Sequence, residues 1–111
     1  MEVFFATRSL EKRLGSDAAR QRSYGHVVAR KIALRLNQLH AAPNLGAMRQ
    51  MPGRCHELQE DRAGQLAIDL TDNLRLVLEP AHEPVPARDD GGLDWDCVTA
   101  VRIREVIDYN G

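Results

Sequence analysis

The densest run of reactive side chains lies between Pro52 and Gln65, where Arg54, His56 and Arg62 sit among turn residues just ahead of an alternating apolar stretch. An imidazole can take or give a proton near neutral pH, and a guanidinium offers a planar fork of donors that fits phosphate oxygens. Arg75 adds a further fork. It alternates with Leu74, Leu76 and Leu78, so on a strand it projects from the face opposite those leucines. The set suits an anionic ligand. A plainer reading stays open, in which Arg54 and Arg62 pair with Glu57, Glu60 and Asp61 in solvent and contribute little.

Other constellations carry less chemistry. Cys55-His56 and the distant Cys97 lack the paired, closely spaced ligands of a structural zinc site. The acids Asp89, Asp90, Asp94 and Asp96 lack the spaced Asp/Asn ligands and glycine of a calcium loop. No metal is therefore expected. His26, His40 and His82 read as surface or boundary residues, and Trp95 as the anchor of a loop.

These side chains need elements to position them. Val3 to Phe5 form a short β-prone stretch, and Thr7 can cap a helix that runs through Arg13. Gly15 punctuates it, and Ser16-Asp17 can cap a second helix that ends near Tyr24-Gly25. From Val28 to His40 a third helix is expected. Ala29, Ile32, Ala33, Leu36 and Leu39 share one stripe, with Arg30, Lys31 and Arg35 mostly off it as a basic back. A short helical turn fits Leu45 to Met51, closed by Pro52-Gly53.

Past Cys55 the period becomes alternating. Leu66, Ile68 and Leu70 face one way, Ala67 and Asp69 the other, and Asp72-Asn73 is turn chemistry leading into Leu74 to Glu79. Residues 80 to 96, rich in proline, glycine and acid, read as a long surface loop. A last strand runs from Val98 to Tyr109, alternating Val101, Ile103 and Ile107 against Arg102, Arg104 and Asp108, with Glu105 an exception on the apolar side. The expectation is one α+β domain over residues 1 to 111, an N-terminal strand and two to three helices packed on a small antiparallel sheet.

Charge is segregated along this layout. Residues 1 to 65 hold eleven Lys or Arg against six Asp or Glu, whereas residues 66 to 111 hold four against ten. The overall charge of -1 hides a basic half that can steer a polyanion if its charges share a face. No apolar run approaches the ~20 residues a membrane helix needs. Glu2 stands where a secretory leader would carry a base, so a cytoplasmic protein with two free thiols and no membrane contact is expected.

The run His56-Glu57-Leu58, Asp61-Arg62, Gly64-Gln65 and Leu74-Arg75-Leu76-Val77 resembles the HigB-type branch of the RelE/ParE superfamily, toxins of type II toxin–antitoxin pairs. Its pattern there is His-x-Leu-x-Gly-Asp-Arg-x-Gly followed by aromatic-Arg-[Ile/Leu]-x-Phe. Phe5-Ala6-Thr7-Arg8 and Leu10-Glu11-Lys12 also look like family sequence, and Asp108-Tyr109-Asn110 stands where the family ends in Asp-Tyr-His. Together these motifs span nearly the whole chain.

The resemblance implies a RelE-like fold and a ribosome-dependent endoribonuclease that cleaves messenger RNA without metal or organic cofactor. His56 and Asp108 would move or position protons, Arg75 would bind the scissile phosphate, and Tyr109 would orient a base or the backbone. Arg54 and Arg62 would assist, with Arg30, Lys31 and Arg35 offered to RNA. Implied partners are the ribosome with its mRNA, a HigA-like helix-turn-helix antitoxin, and operator DNA through the antitoxin complex alone.

Departures from the pattern matter. Asn110 replaces a histidine and cannot exchange a proton near neutral pH. Glu60 replaces a glycine, and Leu74 and Leu78 replace aromatics. Two other roles therefore stay open: a catalytically weakened homologue that still binds its antitoxin, and a ParE-like gyrase inhibitor.

Overall fold

A computed structural model describes residues 1 to 109. In chain order these form β1 (Glu2–Phe5), α1 (Arg8–Leu14), α2 (Asp17–Ala41), a 3-10 segment Leu45–Gln50, β2 (His56–Glu57), a 3-10 turn Glu60–Arg62, β3 (Leu66–Asp69), β4 (Leu74–Pro80), a 3-10 turn Trp95–Cys97, and β5 (Ala100–Asp108).

The helix starts follow from their caps. Thr7 Oγ1 accepts from Leu10 N–H at 3.0 Å and Ser16 Oγ from Ala19 N–H at 3.2 Å, so each satisfies an orphan donor of a first turn. The second and third expected helices are continuous except at Gly25, whose φ of 80° and ψ of 169° break the helical path. Glycine adopts that left-handed value without a Cβ clash.

The five strands form one sheet in the order β1-β5-β4-β3-β2. Neighbouring pairs from β5 to β2 are antiparallel, but β1 runs parallel to β5. The sheet is therefore mixed, a correction to the expected antiparallel one. The reason is the two-helix crossover, which returns the chain to the far side of the sheet before the meander begins.

Ile32, Leu36 and Leu39 of α2 and Leu10 and Leu14 of α1 bury against Leu66, Ile68, Leu76, Leu78, Val101 and Ile103 on one sheet face. That burial, at about 25 cal/mol per Å² of apolar area, is what holds the helices to the sheet. Trp95 is buried in the same core and anchors the 80 to 99 loop. Its Nε1 donates to Glu57 Oε2 at 3.0 Å, and Arg49 lies 4.0 Å over its ring. His82 Nε2 pins the loop again by accepting from Thr99 N–H at 3.0 Å.

Strand β5 carries a bulge. Val77 stands opposite Glu105 and Leu78 opposite Ile103, so Arg104 is the extra residue. An inserted residue reverses the alternation beyond it. Val106, not Ile107, then packs against the core, opposite Leu76, and Glu105 turns to the outer face opposite Val77. This corrects the expected alternation of Ile107 with Val101 and Ile103, and it removes the anomaly of an acid on the apolar side.

Candidate nucleic-acid interface

Residues directly opposite in a sheet share a face, so the register assigns the outer face row by row. One row is His56, Ala67, Val77 and Glu105; the next holds Asp69, Arg75 and Ile107. With strands about 4.8 Å apart and about 3.3 Å per residue, the backbones at His56 and Arg75 are roughly 12 Å apart on that face. Ala67 and Val77 form a fully buried floor between them.

His56 is half-buried, and its Nδ1 lies 2.7 Å from the carbonyl oxygen of Arg54. A carbonyl only accepts, so in the neutral ring Nδ1 carries the proton and Nε2 is left as the basic nitrogen. Arg75 is held more tightly. Its Nη1 donates to the carbonyls of Thr71, Asp72 and Leu74 at 3.0, 3.3 and 3.1 Å, and Nε sits 2.7 Å from Asp69 Oδ1. That Nε is buried and its N–H is not aligned on the carboxylate, so the contact is one of close charges more than a directed hydrogen bond.

Arg54 also reaches Asp69, at 3.2 Å, while Arg62 reaches Glu105 at 2.6 Å. Neither pairs with Glu57, Glu60 or Asp61. The acids that hold the arginines are strand residues, Asp69 and Glu105, neither of which the sequence pairs with them. Sequence alone misses the Asp69–Arg75 pairing by one step: a two-residue turn at Asp72-Asn73 would set Asp69 against Leu76, whereas Leu70 N–H donates to the Leu74 carbonyl across a three-residue loop and brings Asp69 opposite Arg75. Tyr109 stacks on Arg75, with the guanidinium 4.9 Å from the ring centroid, and its N–H donates to the Asn73 carbonyl at 3.0 Å.

The remaining expected residues lie elsewhere. Asp108 stands opposite Leu74, one step along from the Arg75–Ile107 pair, which puts it on the parity of the other face. Arg35 is buried in α2, its Nε donating to the Asp69 carbonyl at 2.9 Å and its Nη1 to Pro52 O and Gln38 Oε1, both at 3.3 Å. It braces the fold and offers no fork to solvent. Arg30 and Lys31 are exposed on α2. Lys31 shares an open depression of about 490 Å³ with Asp69, Leu70, Thr71, Asp72 and Arg75. Asn110 lies outside the described residues.

Cys55, beside His56, packs against the core, and burial pushes its thiol up to about 12 despite the opposing charge of Arg49. A thiol so rarely ionised is no nucleophile at neutral pH.

The architecture is an α+β fold with helices on one face of a five-stranded mixed sheet. No protein-family model and no curated protein matches the sequence. Among solved structures the chain is similar to a YoeB/ParE toxin from Agrobacterium tumefaciens, at 15% identity and a TM-score of 0.56, over 97% of this chain and 98% of that one. The likeness covers both chains almost end to end and establishes the fold.

Proposed function

We propose that this chain is the toxin of a type II toxin–antitoxin pair, of the HigB kind, and that it cleaves messenger RNA in the ribosomal A site. The observation that carries the reading is one outer sheet face bearing His56, with Nε2 as its base, across from Arg75, and flanked by Arg54 and Arg62. In this scheme the 2'-hydroxyl gives its proton to His56 Nε2 and attacks the adjacent phosphorus. The P–O5' bond breaks, leaving a 2',3'-cyclic phosphate, and the 5'-oxygen takes a proton from solvent water. Arg75 exchanges its shared carboxylate for the phosphate and neutralises the charge that grows there. Tyr109, already stacked on that guanidinium, keeps its fork oriented and offers a face to a base.

The partner in this reading is a HigA-like helix-turn-helix antitoxin, with operator DNA bound through that complex. Val27 and Leu34 on α2 are 69% and 45% exposed beside Arg30 and Lys31, an apolar strip with basic flanks that suits such a contact.

The deciding experiment adds the purified chain to ribosomes stalled with a defined codon in the A site and maps the RNA ends. Cleavage with a cyclic phosphate is expected, reduced about 10²- to 10⁴-fold by His56→Ala and by Arg75→Ala. Intact RNA with folded protein would sink the reading. The register of Asp108 supports a second one: with that carboxylate on the other parity and Asn110 in place of histidine, the chain is a weakened member that binds its antitoxin and cuts slowly. Asn110→His then raises the cleavage rate at least tenfold; an unchanged rate excludes it.

A further inference from the structure

The outer face continues past the bulge into a row that holds none of the residues assigned to cleavage. Phe4 of β1 stands opposite Arg102 of β5, which stands opposite Glu79 of β4. Arg102 Nη1 is 2.8 Å from Glu79 Oε2, and Arg104 Nη1 is 3.6 Å from the same oxygen. Arg104 reaches it because the bulge leaves Arg104 and Glu105 both on the outer side, where a regular strand would send one of them inward. Two guanidiniums thus share one carboxylate, and one positive charge is left over. Both arginine side chains are about two-fifths exposed, and the neighbouring Phe4 is 46% exposed. A large aromatic ring open to water beside two arginines that share a single carboxylate is a combination that suits single-stranded nucleic acid, with stacking for the base and a fork for the phosphate.

We infer that Phe4, Arg102 and Arg104 form a second nucleotide subsite for single-stranded RNA, in which the arginines take a backbone phosphate and Phe4 stacks a base. This rests on the reading of the outer face as an RNA-cleaving surface. From Arg75 to Glu79 is four residues along β4, roughly 13 Å. The subsite therefore holds a flanking nucleotide and not the scissile phosphate. Glu79 keeps the two forks preorganised until a phosphate displaces one of them.

The test measures binding of two RNA oligomers, a dinucleotide and a hexanucleotide, each carrying 2'-deoxyribose at the cleavable position so that affinity is read without turnover. The wild-type chain is expected to bind the hexamer more tightly than the dimer. Phe4→Ala should weaken hexamer binding about 5- to 100-fold. The double variant Arg102→Gln/Arg104→Gln should lower its log-log salt slope by about 0.7, the value for one phosphate contact. The dimer, too short to span both places, should bind the wild type and both variants alike. Phe4→Ala disturbs no ion pair, so it stands as an independent readout if the arginine variant misfolds. Hexamer binding unchanged in both variants but lost in Arg75→Ala overturns the subsite and leaves the cleavage reading standing. A wild-type chain that binds neither oligomer and cuts no RNA on the ribosome overturns both.

Discussion

Asp69 and Arg75 stand directly opposite across the β3–β4 hairpin, and the carboxylate that touches Arg75 at 2.7 Å is the same one that Arg54 reaches at 3.2 Å. One acid thus restrains two arginines of the proposed RNA face. Removing its charge should free both. Arg75 would not swing away, because three carbonyls still hold its Nη1. Asp69→Asn is expected to cost about 1–2 kcal/mol of stability, between the values for exposed and fully buried pairs. It should also tighten binding of single-stranded RNA and steepen its salt dependence. Weaker binding by a folded Asp69→Asn chain would show that the carboxylate orients Arg75 for RNA and does not compete with it.

Gly53 sets up the approach to His56. Its φ is 111°, and a Cβ there would come within 2.7 Å of Ile68 Cγ2 and 2.9 Å of Arg35 Nε. Its carbonyl meanwhile accepts from Asp69 N–H at 2.7 Å. Gly53→Ala adds backbone strain to overpacking, so a loss of about 2–4 kcal/mol is expected from a denaturant melt. Because the same segment carries Arg54 and His56, activity should fall further than the lost stability accounts for. A loss under about 0.5 kcal/mol would mean that the loop relaxes freely and does not fix the site.

The two thiols should separate chemically. Cys97 is exposed, although the neighbouring Asp94, by hydrogen bond and by charge, raises its pKa; Cys55 is packed against the core and is pushed up to about 12. A disulfide-exchange reagent at pH 8 is expected to label one thiol per native chain, lost in Cys97→Ser, and the second on denaturation. The alkaline side has a defined sign. Unfolded Cys55 ionises near 9 and the folded thiol near 12, so its contribution to stability is intact below about 9 and drains away as pH rises towards 12. Cys55→Ala should flatten that decline, and two equally fast thiols in the native chain would refute the assignment.

The parts of the fold written in local signals were legible from sequence: the Thr7 and Ser16 caps, the break at Gly25, the turn at Asp72-Asn73 and the last strand, which starts at Ala100 and not at Val98. What escaped depends on partners far along the chain. The bulge at Arg104 follows from how β5 meets β4, and a sequence cannot say which residue of a run is the extra one. Arg35 looked like part of a basic helix back. Three residues from Ile32, it lies at the edge of the buried stripe, and its head finds the carbonyls of Asp69 and Pro52. Burial with satisfied donors is invisible without those acceptors. For the candidate site the residue types were legible, and the parity that separates Asp108 from Arg75 was not.

Glu60 holds a last prediction. It stands where the HigB pattern has glycine, and its φ is 56°, in the left-handed region that a β-carbon disfavours. The turn is of the kind that suits glycine, yet the residue carries a side chain. Glu60→Gly removes strain of about 1–2 kcal/mol but gives the unfolded chain more freedom, worth about 0.5–1 kcal/mol in the opposite direction. The net expectation is a gain of about 0.5 kcal/mol, read as a Tm rise of about 2–4 °C. The substitution also removes a negative charge from the turn that carries Arg62, which Glu105 holds at 2.6 Å over the outer face. RNA affinity should therefore rise together with Tm. A lower Tm would mean that the Glu60 side chain contributes more to the fold than its backbone strain costs.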